Sequence, residues 1–333
     1  SISYRDSAVY FVDVSNPISP SVITSVTIPM PAEDIAISHD GKFALVTDGG
    51  FTSRVAVIDL PSRTLAYTVT MVAGDALAVD IAPNGTVVVA DYFGGYIHSL
   101  YPDASGKLTV TGSHSYALTT DGQIAFARST DSLGSAGSAD TFGRSSHTTG
   151  ETGTESPERQ RLRTDVTTTH FPRPLNVAVA PDGQTVLVAD VSNYNNPDGG
   201  TNTTDPRRAV AVYQIVAPGV LSFTGAITGL TRSIQSIAFN PAGTKAYLAA
   251  NGLAHTPAEH DGHYTYRHLA VLNITGPGQV SLDRDNAVDY PGGGTGQFFG
   301  VDTLAVSNNK AYIANPTFLR TVYHLEVVDC SDY

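Results

Sequence analysis

His260, Asp261 and His263 stand almost side by side, with Glu259 immediately before them. Imidazole nitrogens and carboxylate oxygens in so short a stretch are the ligand set of a divalent metal such as zinc. The surrounding segment, Leu253 to Thr275, holds four of the chain's ten histidines: His255, His260, His263 and His268. No helical period accompanies them, so a helix-borne zinc motif is excluded. The competing reading is a solvated polar loop. A second oxygen-rich set, Asp190, Asn193, Asn195, Asn196 and Asp198, is of the kind calcium prefers. Its competing reading is a loop folded on its own Asx turns. Zinc or calcium is therefore the cofactor expectation.

Other acids carry different expectations. Asp48, Asp91 and Asp190 each close an apolar run at the same place in a recurring unit. A residue demanded by every unit answers a need of the unit, here acceptance of backbone N–H groups at a strand end. Asp80 stands where the other copies have Ala36, Ala178, Ala238 and Ala305. A carboxylate there requires a partner, because burying it unpaired is costly. It either lines a channel or accepts a structural hydrogen bond. No GxSxG elbow, phosphate loop or Ser-His-Asp pattern is legible.

These residues need a scaffold, and the scaffold repeats. "DIAISHDGKFALVTDGG" from Asp34, "AVDIAPNGTVVVADYFGG" from Ala78, "NVAVAPDGQTVLVADVSN" from Asn176, "SIAFNPAGTKAYLAANG" from Ser236 and "TLAVSNNKAYIANPT" from Thr303 share one plan. Each is an apolar strand, a tight turn on a DG, NG or related pair, and a second apolar strand. A worn copy begins at Ser115. Third strands such as "RVAVIDL" and fourth strands such as "KLTVTG" follow most copies. Units of four antiparallel strands at this spacing predict an all-β fold, a single β-propeller spanning 1–333. Residues 130–168 contain few large apolar groups and read as a low-complexity surface excursion within one blade.

The pattern resembles the YVTN-type and lactonase-like propeller repeats, and "DSAVYFVDVSNPISPSVITSVTIP" resembles an LVIVD-type repeat. The resemblance implies seven blades, with six as the alternative. The terminal strands are expected to share a seam, which would remove free edges. The lactonase-like members imply an acid, histidine or arginine at the channel mouth, but none of their catalytic motifs matches here residue by residue.

In such a fold the long connections gather on one face. That face should receive Asp80, Tyr92, His170, Arg173, Asn193 and Tyr194, which are the expected ligand-binding residues, together with the histidine loop. Function tends to sit where loops are elaborated.

Composition bounds the rest. A formal charge of −12 with scattered Lys and Arg excludes a nucleic-acid surface. No apolar run approaches the roughly 20 residues a membrane helix needs. The single cysteine, Cys330, rules out an intramolecular disulfide. Lysine is scarce, Ser1 opens the chain, and sequons occur at Asn84, Asn202 and Asn273. These features point to a secreted or surface-exposed glycoprotein. The functional expectation is a structural or recognition module, binding a glycan or surface partner and self-associating by strand addition. The alternative is a lactonase-like or metal-assisted hydrolase at the loop-rich face.

Overall fold

Each quoted copy folds as a hairpin because its turn supplies the backbone that a tight reversal needs. Gly41 and Gly85 take φ of 68° and 86°, a region that other residues adopt only with strain. Their N–H groups close the turns onto Ser38 and Ala82 carbonyls at 2.8 Å. In the last copy the same reversal is made by Asn308 and Asn309, both at positive φ, since asparagine tolerates this conformation best among residues with a side chain.

The computed structural model describes residues 2–3, 6–16, 18–50, 52–71, 74–92, 94–119, 124–131, 169–170, 174–190, 209–228, 230, 233–252, 266–291, 303–316 and 323–331. Strands account for all the regular structure among them, in six antiparallel sheets. The first sheet holds β1 (Ile2–Ser3), β2 (Ala8–Asp13) and β3 (Ser21–Thr27). The second runs β4 (Ala32–Ile37), β5 (Phe43–Asp48), β6 (Arg54–Asp59) and β7 (Thr64–Thr70). The third begins β8 (Ala76–Ile81), β9 (Val87–Asp91), β10 (Tyr96–Pro102) and β11 (Leu108–Thr119). It is extended by β12 (Ile124–Asp131) and β13 (Thr169–His170), both paired with β11. The fourth is β14 (Pro174–Val179), β15 (Thr185–Asp190), β16 (Ala209–Ala217) and β17 (Val220–Thr228). The fifth is β18 (Ser233–Phe239), β19 (Lys245–Gly252), β20 (Tyr266–Gly276) and β21 (Gln279–Pro291). The sixth is β22 (Thr303–Ser307), β23 (Lys310–Pro316) and β24 (Tyr323–Asp329).

The inner strands β4, β8, β14, β18 and β22 pack successively against one another, which is the radial arrangement of a β-propeller. Alternate residues of one strand serve opposite neighbours. Val87 and Val89 join the core against the second sheet, with Leu45 and Val57. Val88 and Ala90, on the other side of the same strand, join Val177, Val186 and Ala211 of the fourth sheet. That is why "TVVVA" is apolar without alternation. Each fully buried valine or leucine contributes roughly 1.5–3 kcal/mol of transfer free energy.

One expectation about assembly is corrected. Among the described residues, the worn copy builds no separate sheet between the third and fourth. Its hairpin pairs onto the outside of the third sheet, while β8 packs directly on β14. The terminal strands share no seam ladder among the described residues. The first and sixth sheets are separate and three-stranded, the first packing on the second through Val9, Ile28 and Met30. No helix among the described residues is long and apolar enough to cross a membrane.

Candidate functional site

Strand ends place the reactive side chains. Asp48 closes β5 and turns its carboxylate to the following loop. Its Oδ1 accepts the Gly50 N–H at 2.8 Å, and its Oδ2 takes the Thr52 hydroxyl and a two-nitrogen contact from Arg54 at 2.6 Å. Asp91 closes β9 in the same way. Its Oδ1 accepts N–H groups of Asp75 at 2.9 Å and Gly94 at 2.8 Å. The strand-end role expected of these acids is therefore what Asp48 and Asp91 perform. Gly74 is held to glycine by this approach, since a Cβ there would sit 2.0 Å from Asp91 Oδ1.

Asp91 also does more. Its Oδ2 accepts the Ser53 hydroxyl of the second sheet at 2.7 Å and lies 3.3 Å from His98 Nε2. On the far side of the imidazole, His98 Nδ1 meets Ser113 Oγ at 2.8 Å. An ionised Asp91 only accepts, so Nε2 carries a proton, and in the neutral ring Nδ1 then accepts from Ser113. The order serine, histidine, aspartate is that of a proton relay. Asp91 and His98 are fully buried and Ser113 nearly so. The ring of Tyr96 stacks on His98 at 5.7 Å, and neighbouring His114 meets Tyr213 edge-on at 6.0 Å. Burial pushes the Asp91 carboxyl up, yet the hydrogen bonds from His98, Asp75 and Ser53 outweigh it and hold the group below the usual carboxylate range.

Sequence reasoning missed this relay. Its members come from the end of β9, the start of β10 and the middle of β11, so no linear spacing announces it. Three small signals were present: a histidine in an apolar third strand, a serine-histidine pair in a fourth strand, and Gly74.

A second polar series runs along the inner strands. Asp34 Oδ2 accepts the Val79 N–H at 2.9 Å, Asn176 Oδ1 the Ile237 N–H at 3.3 Å, and Ser236 Oγ the Leu304 N–H at 3.1 Å. Each bond crosses from one sheet to the next at one repeated position. The third sheet has Ala78 at that position, and the next residue on the same strand face, Asp80, takes over. Asp80 Oδ2 accepts the Val179 N–H at 2.7 Å, and its Oδ1 the Ile81 N–H at 2.8 Å. Of the two roles weighed for Asp80, backbone partners across a sheet boundary are what it has. Burial pushes the carboxyls of Asp34 and Asp80 up, against the opposing hydrogen bonds. The nearby Asp34 raises Asp80 further. Asp34 was not singled out from sequence, although its alignment with Asn176 and Ser236 marks a polar place in the repeat.

Of the other expected residues, some are described and the rest are not. Tyr92 is half-buried in the β9–β10 loop, its N–H bonded to the Asp75 carbonyl at 2.8 Å. His170 lies on β13, opposite Leu118 of β11. Arg173, Asn193, Tyr194, Asn202, Glu259, His260, Asp261 and His263 lie outside the described residues. Among the described residues, no three His, Cys, Asp or Glu side chains are grouped to hold a metal. Asn84 sits exposed in the β8–β9 turn, and Asn273 is half-buried on β20.

No family model matches the chain, and no curated protein matches it in sequence. Solved structures do match in fold. A protein of unknown function from Desulfotomaculum acetoxidans superposes with a TM-score of 0.56 at 14% identity, over 98% of this chain and 83% of that one. The hydrazine synthase of Kuenenia stuttgartiensis gives 0.52 at 14% identity, over 98% and 90%. The periplasmic gluconolactonase PpgL of Pseudomonas aeruginosa gives 0.50 at 14% identity, over 95% and 76%. At this identity the likeness is one of fold, and it agrees with the radial packing of the sheets. The neighbours' differing names fit the general rule that a fold hosts many functions.

Proposed function

We propose that this chain is a recognition and assembly module of the cell exterior that associates with further copies of itself through its terminal sheets. The observation that carries the reading is the apolar surface on those sheets. Val22 and Ile23 on β3 are 61% and 52% exposed, and Leu325 and Val327 on β24 are 67% and 51% exposed. β3 and β24 are each the last strand of a three-stranded sheet. Edge strands that keep apolar residues in water are a liability unless something covers them. A second copy adding its own edge would cover both the backbone groups and the side chains. The test is sedimentation of the purified chain across a range of concentrations. Wild type should associate, and Leu325→Lys with Val327→Lys should shift it to monomer with unchanged melting. A wild type that stays monomeric at every concentration overturns the reading.

A second reading, hydrolysis of a sugar lactone, is favoured by the Ser113–His98–Asp91 order and by the name of the Pseudomonas neighbour. It places a divalent metal, zinc or calcium, at His260, His263, Asp261 and Glu259. Hydrolysis of glucono-δ-lactone, with and without a chelator, tests both parts. Turnover lost in Ser113→Ala would support it, and no turnover above the spontaneous rate would dismiss it.

A further inference from the structure

The boundaries between the third and fourth sheets and between the fourth and fifth are sealed by one device. The turn glycine Gly219 donates its N–H to Thr86 Oγ1 at 2.8 Å, and its carbonyl accepts the Thr111 hydroxyl at 2.6 Å. One sheet further on, Gly278 donates to Thr185 Oγ1 at 3.0 Å and accepts from Thr224 at 3.2 Å. A two-residue turn thus plugs between two threonines of the preceding sheet, on the face opposite the long loops.

The boundary between the second and third sheets breaks the rule at every part. Counted back from the strand-end acids Asp48, Asp91 and Asp190, the place of Thr86 and Thr185 is held by Phe43. Thr111 and Thr224 are the bulged residues of their strands, and the corresponding bulge on β7 is Ala66. The plugging turn is replaced by a longer one from Asp103 to Lys107, folded on the Asp103 carboxylate. The accepting threonine, the donating threonine and the glycine plug are therefore all missing from this boundary, and it stays open.

What remains is a cleft of about 270 Å³ walled by Phe43, Tyr67, Ile81 and Leu108, with His39 and Asn84 at its lip. The Tyr67 ring is fixed in place. Its hydroxyl accepts the Leu108 N–H at 2.9 Å, and the Lys107 ammonium sits 5.3 Å from the ring centroid. Phe43 is 40% exposed although large and apolar. The charges nearby are balanced: Asp40 holds Lys42 at 3.0 Å, and the Lys107 charge is offset by Asp103, whose carboxyl it helps to lower. An aromatic wall, an apolar floor and a polar lip without net charge select a flat, neutral ring with one hydrogen-bonding group. The volume is below that of drug-sized sites, which limits the ring system to one or two fused rings.

We propose that the cleft between the second and third sheets is a binding site for a small neutral aromatic molecule of indole or naphthol size. The ring lies against Phe43 and Tyr67, and its polar group reaches His39 or Asn84. This site is independent of the terminal sheets and lies on the face opposite the long loops.

The chain contains no tryptophan, so indole fluorescence, excited at wavelengths where tyrosine scarcely absorbs, can be followed on the full chain without a tryptophan background. Titration with indole, and with 2-naphthol by equilibrium dialysis, should saturate at one molecule per chain. Phe43→Thr, which restores the residue type of the sealed boundaries at a half-exposed position, should weaken binding about fivefold to tenfold. His39→Ala, at an exposed position, should weaken the hydrogen-bonding probe 2-naphthol. Both variants should melt as wild type does, because neither touches the buried core. Absence of saturation in wild type, or equal binding by wild type and both variants, overturns the proposal.

Discussion

The Asp80 carboxylate accepts the Val179 backbone N–H at 2.7 Å across the boundary between the third and fourth sheets. Ala78 occupies the place where neighbouring sheets carry Asp34, Asn176 and Ser236, and Asp80 supplies the missing acceptor from the same face of the strand. Together with the Gly219 bonds to Thr86 and Thr111, it ties two sheets whose remaining contacts are largely apolar and non-directional, and so fixes their relative height.

Asp80→Asn keeps an acceptor for Val179, as Asn176 does for Ile237, and removes the cost of a buried charge. The folded Asp80 carboxyl titrates above its unfolded value. The stability linked to it is therefore fully present below the unfolded value and is lost as pH rises through the folded one. The melting temperature of Asp80→Asn should equal or exceed wild type at pH 7, with the advantage shrinking towards pH 4. Asp80→Ala strands the Val179 N–H and should cost about 1–3 kcal/mol in urea denaturation. An Asp80→Asn variant as unstable as Asp80→Ala would mean that both carboxylate oxygens, including the one that accepts the Ile81 N–H, are required.

Asp91 behaves in the opposite sense. Its folded carboxyl titrates below the unfolded value, so its contribution is present above the unfolded value and lost as pH falls through the folded one. Asp91→Ala leaves the Asp75 and Gly94 N–H groups, Ser53 and His98 without their acceptor. About 3 kcal/mol of destabilisation is expected at pH 7, diminishing in acid. Urea midpoints of wild type and variant at pH 7 and pH 3 measure both quantities.

Gly219→Ala tests the plug. Gly219 has φ of 75°, and an added Cβ would lie 2.7 Å from Tyr101 Cβ. Backbone strain and the clash together should cost about 1–3 kcal/mol. Hydrogen exchange should quicken at Thr86 and Val220 before it does elsewhere. Uniform exchange across all six sheets would show that the boundary opens only with the whole fold.

Removing residues 1–29 uncovers a core face. Val9 and Ile28 pack on Ala44, Val46, Ala56 and Ile58 of the second sheet. The truncated chain should melt at a clearly lower temperature and bind a hydrophobic dye. An unchanged melting curve would show that the first sheet adds nothing to the second.

The hairpins were legible in the sequence because their causes are local. A turn glycine at positive φ, an Asx acceptor beside it and β-branched residues on both sides act within a few residues of one another. The apolar run "TVVVA" likewise revealed a strand buried on both faces. The strand-end role of Asp48 and Asp91 was readable because repetition marks a need of the unit. The worn copy misled, because its hairpin has the pattern of a blade. Whether a hairpin forms its own sheet or extends another depends on what packs against it, and β14 already covers β8. Ser113, His98 and Asp91 meet only because three strands lie side by side in a particular register. The inner acceptors pair across sheet boundaries that local sequence does not encode. The open cleft exists because this boundary lacks the two threonines and the glycine plug that close the next two boundaries along the chain, a difference that becomes a cavity only when the sheets are stacked.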